Sequence, residues 1–236
     1  MQGVRDMFSR RKKPTEDASA TESAPPAERA GDDEHLAGRD GDSAPTSGPY
    51  DSADPVPEVE RLNLGGLQIP AIAEMQIRIE ADPATQTVVS ATVLINEGAV
   101  QLQAFAAPRA EPLWPDVRSD IADSMTQSGA ACDEVDGPFG PELHGVVSVT
   151  SQDGKQQQIP AVFAGVDGPR WLLRLVFTGA AVSDDAVRAS LEEVVRGVVI
   201  DRGTEPMAPR ALIPLSMPSQ LSDPGAAPAG GSSAGG

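Results

Sequence analysis

The apolar residues of this chain sit in its middle, and that distribution decides what part of it can fold. Residues 1–60 hold one Phe, one Tyr and almost no Ile, Leu or Val, and are rich in Ala, Pro, Ser, Gly, Asp and Glu. Such a segment buries too little apolar surface to offset the entropy of ordering it. Residues 219–236 are almost all Ala, Gly, Pro and Ser, with Gln220, Leu221 and Asp223 besides, the composition of a flexible tail. The expected organisation is a disordered arm over 1–60, basic and then acidic, one folded domain over 61–218, and a disordered tail over 219–236. The middle segment is long enough for a single compact core.

Charge narrows the function. The net charge is -17, from 35 acids and 18 bases. Residues 1–60 contribute 14 acids and 7 bases, and the remainder 21 acids and 11 bases. The middle segment contains one lysine, Lys155. Nucleic-acid affinity rests on clustered cations that displace counterions, so the folded part is not expected to bind nucleic acid broadly. The one basic run is Arg10, Arg11, Lys12 and Lys13 beside Phe8. Four cations and one ring supply only marginal attraction to nucleic acid or anionic lipid at physiological salt.

A single cysteine, Cys132, excludes an intramolecular disulfide. No apolar h-region follows the N-terminal cations and no apolar run reaches the roughly 18 residues that span a bilayer, so a cytoplasmic protein without a transmembrane segment is expected.

Two periodicities write the fold. Met75, Ile77 and Ile79 alternate with Gln76, Arg78 and Glu80, a strand with one apolar face. Val88 to Ile95 reads as a buried strand, and Asn96-Glu97-Gly98 as the turn into a third, where Val100, Leu102 and Ala104 alternate with Gln101, Gln103 and Phe105. Trp114, Val117, Ile121 and Met125 fall at i, i+3, i+7 and i+11, the apolar face of a helix with Pro115 in its first turn and Gly129 past its end. Strands are expected again at His144 to Thr150, Gln156 to Ala164 and Trp171 to Phe177, with turns at Asp153-Gly154 and Asp167-Gly168. Val187, Leu191, Val194 and Val198 mark a second helix, with Ser183 as its expected N-cap. The fold class is therefore α+β: one domain, an antiparallel sheet from two βββα-like halves, and two main helices. Two words recur, QIPA at 68–71 and 158–161, and VDGP at 135–138 and 166–169. Their offsets disagree with each other and with that of the helices, so the words are not relics of one duplication.

No constellation for catalysis stands out. The sequence lacks CxxC, HExxH, a calcium loop and a phosphate loop, so neither metal nor cofactor is expected. A Cys132/His144 couple is conceivable, but Asp133 and Glu134 beside the thiol oppose thiolate formation. The paired acids Asp184/Asp185 and Glu192/Glu193 suit a helix start and a solvated helix face. What stands apart is a set of arginines near the C-terminal end. Arg170 and Arg174 flank Trp171, while Arg202 and Arg210 bracket Glu205 in a proline-rich arm. Guanidinium forks of this kind can hold a carboxylate or phosphate, or simply pair with the many acids while Leu212, Ile213 and Leu215 strap the core.

VQLQAFAAPR at 100–109, Trp114, VDGPFG at 135–140, GVDGPRW at 165–171 and RGTEPMAPR at 202–210 resemble an actinobacterial family of unknown function. The resemblance implies no activity and no catalytic residue. The expected function is a non-enzymatic protein-binding or adaptor domain, with a protein partner. The alternative is a sensor or enzyme that binds a small anion or nucleotide through Arg170, Trp171, Arg174, Arg202, Glu205 and Arg210.

Overall fold

A computed structural model describes residues 47–217 apart from 83, 86 and 151–153. The cations Arg10 to Lys13, most of the arm, His35, Pro83, Asp153 and the tail lie outside the described residues.

A seven-stranded antiparallel sheet forms the centre. It contains β4 (Gln76–Ala81), β5 (Val88–Ile95), β6 (Gly98–Ala106), β7 (Cys132–Gly137), β8 (Gly140–Thr150), β9 (Gln156–Gly168) and β10 (Trp171–Gly179), in the spatial order β4-β5-β6-β10-β9-β8-β7. The meanders β4-β5-β6 and β8-β9-β10 meet at the β6/β10 pair, where Leu102 lies opposite Leu175. A second sheet, β1-β11-β3-β2, is built from β1 (Tyr50–Asp51), β2 (Arg61–Asn63), β3 (Leu67–Pro70) and β11 (Val199–Ile200). β1 precedes position 61, where the sequence reading began the domain. Tyr50 is buried and pairs in parallel with Val199, so long-range contact orders a stretch whose local composition favours neither strand nor core.

The two helices pack on opposite faces of the large sheet. The apolar face of α1 (Trp114–Gln127) consists of the four residues the spacing predicts, Trp114, Val117, Ile121 and Met125. They pack on Leu143, Ala161, Phe163 and Leu172. The face of α2 (Asp185–Arg196) packs on the other side, with Val100, Leu102, Leu173, Leu175 and Phe177, and the small sheet joins it there through Leu67, Ile69 and Ile200. A two-fold rotation through an antiparallel pair such as β6/β10 keeps each face of the sheet on its own side. Equivalent helices would then share one face. Because α1 and α2 lie on opposite faces, the two halves do not superimpose by that rotation.

Two local expectations are corrected, and one strand was not foreseen. α2 is capped by Asp184, whose carboxylate accepts from Ala186 and Val187 N–H, and not by Ser183; a short 3-10 turn at Ala180–Val182 uses the preceding residues. The last hairpin turns at Pro169-Arg170, with Gly168 opposite Trp171, and not at Asp167-Gly168. Proline supplies the fixed φ of the first turn position and Arg170 takes φ 68° at the second. The other VDGP word also ends at a hairpin, with Gly137 opposite Gly140 across Pro138-Phe139, so the recurring word marks recurring turn chemistry. Finally β7, acidic and without alternation, is an edge strand that its sequence does not announce.

The C-terminal arm is a strap. β5 and β6 pair from Ile95/Gly98 as far as Ala91/Leu102, and beyond that point residues 211–215 take up the β6 edge. Ile213 N–H donates to Ala104 C=O, Ala106 N–H to Ala211 C=O, and Leu215 bridges to Val88 and Gly65.

Candidate functional site

The six residues singled out in the sequence do not converge on one pocket. Trp171 is buried on the α2 face, where its indole N–H donates to Asp51 at 2.8 Å. Arg174, three residues on, projects from the opposite face, because side chains alternate along a strand. Arg210 reaches α1, with Nη1 2.5 Å from Asp120 and Nη2 3.6 Å from Asp116. Arg170, Arg202 and Glu205 do come together: Arg202 donates to Gly203 C=O and Glu205 C=O, and Arg170 donates to Gly203 C=O. Beside them a shallow groove of about 350 Å³ is lined by Asn63, Gln68, Asp201, Arg202 and Ile213 together with Gly65, Gly66 and Gly203. The Nε of Arg202 is enclosed without an acceptor.

Cys132 and His144 cannot act as a couple. Cys132 lies opposite Gly145, on the α1 face, while His144 is the neighbour of that glycine and projects to the other face. Among the described residues no group of His, Cys, Asp and Glu could hold a metal ion.

On the α2 face, Glu142 of β8 is buried beneath the helix. Arg188 places Nη2 2.8 Å from one carboxylate oxygen and 2.9 Å from the other, and its Nε 2.7 Å from Glu192. The guanidinium carbon of Arg188 stands 3.6 Å from the centroid of the Phe177 ring. Burial raises the Glu142 pKa above its ordinary 4.5, against the opposing pull of Arg188. Every member is partnered, which describes a structural ion network with no vacant position.

The α1 face differs. α1 packs over β7, β8, β9 and the near side of β10, and stops there. Over β4, β5 and much of β6 no helix among the described residues packs extensively on this face, although Phe105 and Val176 lie against the α1 cluster. This strip carries Gln101, Gln103, Phe105 and Val176, all half-buried. Its polar groups are bonded to one another: Ser90 and Gln101 both donate to Glu80, and Gln103 accepts from Arg174. Leu212 of the strap lies opposite Phe105 on this side and is 38% exposed. The alternation of Gln101 and Gln103 with apolar neighbours marks this face in the sequence, but not that a helix covers only half of it.

A family model described as a protein of unknown function, DUF3710, matches residues 48–224. The chain belongs to this family. The family description names no activity, and the search of curated proteins found no match. Among solved structures, the solution structure of cyanobacterial PsbP (CyanoP) from Synechocystis sp. PCC 6803 is similar over 65% of this chain and 99% of that one, at 12% identity and a TM-score of 0.36. At that score the likeness carries no argument about function. No helix among the described residues is long and apolar enough to cross a membrane.

Proposed function

We propose that this chain is a non-enzymatic protein-binding domain, working in the cytoplasm, whose partner lies on the strip of sheet beside α1. The observation that supports this reading is the half-covered face itself: Leu212 stands exposed next to Phe105 on one side of the sheet, while α2 and the small sheet cover the other. An aromatic ring and an arginine within one strip are residue types enriched at protein interfaces. The strip ends at β4, the last strand in the sheet order, where an extended segment can add by main-chain pairing. The test compares proteins captured from native extract by the unaltered chain, Leu212→Glu and Val59→Glu, each confirmed as folded. Val59 is exposed and lies outside the strip, so it serves as a control. A protein retained by the first and third and lost by the second supports the strip. Identical capture by all three sinks it.

The groove at Arg202 favours a second reading, in which a small anion is the ligand. Its volume lies at the lower end of small-molecule sites, and bare glycine backbone lets a ligand approach closely. Titration with inorganic phosphate and with nucleotides, followed by the amide signals of Gly65 and Gly203 and repeated on Arg202→Gln, decides it. Saturable shifts that the substitution abolishes support the groove, and their absence removes it.

A further inference from the structure

Among the described residues, Arg174 is the buried arginine without a carboxylate partner. It is 5% exposed. Its side-chain partners are the neutral Oε1 of Gln103, which accepts from Nη2, and the Phe105 ring, whose centroid lies 5.5 Å from the guanidinium carbon. Its Nε is enclosed and has no acceptor. By contrast, the half-buried Arg188 meets Glu142 and Glu192, and the half-buried Arg196 meets Glu192. Burial alone lowers the Arg174 pKa to about 10, with no neighbouring carboxylate to restore it, so the group is still a cation at neutral pH.

Its place in the sheet defines the surroundings. Arg174 pairs with Gln103 on one side and Gly165 on the other. The position a Cβ of Gly165 would fill is occupied by the Trp114 ring, 2.4 Å away. The arginine therefore lies on the seam between the half of the face that α1 covers and the open strip.

We infer that Arg174 is a receptor for a carboxylate presented by the partner that lies on this strip. An enclosed guanidinium without a counter-ion is costly, and an arriving anion turns that cost into affinity. A guanidinium presents planar N–H donors that match a carboxylate or a phosphate alike, but one carboxylate balances its single positive charge, whereas a phosphate dianion would leave a net negative charge in the buried site. Desolvation by the partner would strengthen the pair further. The source of the carboxylate rests on the protein-binding reading; the chemistry of the site does not.

The test is a titration of the full chain with sodium acetate and with a blocked glutamate, at ionic strength held constant with sodium chloride. The Nε–H signal of Arg174 is followed by nuclear magnetic resonance, together with the melting temperature. The expected result is a saturable shift of that signal and a rise in Tm with both carboxylates, and neither effect in Arg174→Met. Arg174→Met itself should melt at or above the unaltered chain, because it removes an uncompensated buried charge. A signal that does not move with either carboxylate overturns the inference, as does a shift produced by inorganic phosphate alone. If Arg174→Met does not fold, Arg174→Lys serves: it keeps the charge and loses the fork, and an acetate affinity equal to that of the unaltered chain overturns the assignment. Carboxylate binding without any protein captured through Leu212 overturns the protein-binding reading only. Capture that depends on Leu212 without a carboxylate response overturns the Arg174 assignment only.

Discussion

Asp167 of β9 closes the start of α1 by accepting the backbone N–H of Trp114, at 3.2 Å to one carboxylate oxygen and 3.1 Å to the other, and that of Leu113 at 2.7 Å. The helix has no side-chain cap of its own, because its N-cap residue is Leu113. A residue more than fifty positions away supplies both the acceptor and the negative charge that a helix N-terminus attracts.

Asp167→Ala should therefore lower stability by about 1–2 kcal/mol, the usual effect of losing a cap. Asp167→Asn keeps an acceptor and should recover part of it. Chemical denaturation of the three chains measures this. If Asp167 served only the turn, Ala and Asn would be equivalent, and amide exchange at the first turn of α1 would not change.

Two residues earlier, Gly165 gives up its side chain to the Trp114 ring. Gly165→Ala should push the indole outward, weaken its 2.8 Å hydrogen bond to Pro141 C=O, and cost about 1–3 kcal/mol as an overpacked site. Tryptophan fluorescence and the melting temperature report the two effects together. An unchanged Tm would mean that α1 shifts without resistance.

The parts of this fold that were legible in the sequence are those with a local signal. The face of α1 follows from the spacing of Trp114, Val117, Ile121 and Met125, and β4 to β6 from alternation and a turn at Asn96-Glu97, both of which take positive φ. What was hidden depends on distance. Tyr50 and Val199 lie in strands of two residues each that long-range pairing creates, β1 on β11 and β11 on β3, and β7 is a strand because β8 pairs with it, not because its acids favour one. The candidate site was visible as residue types and not as an arrangement. Trp171 and Arg174 are neighbours in sequence but stand on opposite faces, and Arg202 turned out to join Arg170 rather than Arg210. Asp-Gly is a strong turn signal and marks Asp167 as a turn residue, while its task is set by a helix the local sequence does not contain.

The strap separates packing from charge. Ile213 is buried and holds the β6 edge, so Ile213→Ala should cost about 2–5 kcal/mol. Arg210 pairs with Asp116 and Asp120 at the surface, so Arg210→Ala should cost about 1 kcal/mol or less, and less still at high salt. Hydrogen exchange at Ala106 N–H and Ile213 N–H should rise in the first variant and barely change in the second. Equal effects would show that the ion pairs, and not the isoleucine, seat the strap.

Glu142 gives a pH dependence of a definite sign. Burial raises its folded-state pKa, and Arg188 limits but does not cancel that rise. Above the raised folded value the folded chain carries the cost of an ionised, buried carboxylate. As the pH falls through the raised folded value toward the ordinary 4.5, the folded state takes up this proton before the unfolded state does. This group then adds stability with falling pH, and the gain is complete below the unfolded value. Removing its partner has the opposite consequence at neutral pH: Arg188→Ala leaves two buried carboxylates facing each other and should cost about 3–5 kcal/mol. Part of that loss should return on acidification, because the uncompensated Glu142 protonates more readily still. Glu142→Gln should remove the contribution of this group and flatten the stability profile in that window. Denaturation midpoints for the three chains across the acidic range measure it. A Glu142→Gln profile parallel to that of the unaltered chain would show that Arg188 holds the carboxylate at its ordinary value, and that the network, buried as it is, titrates like a surface pair.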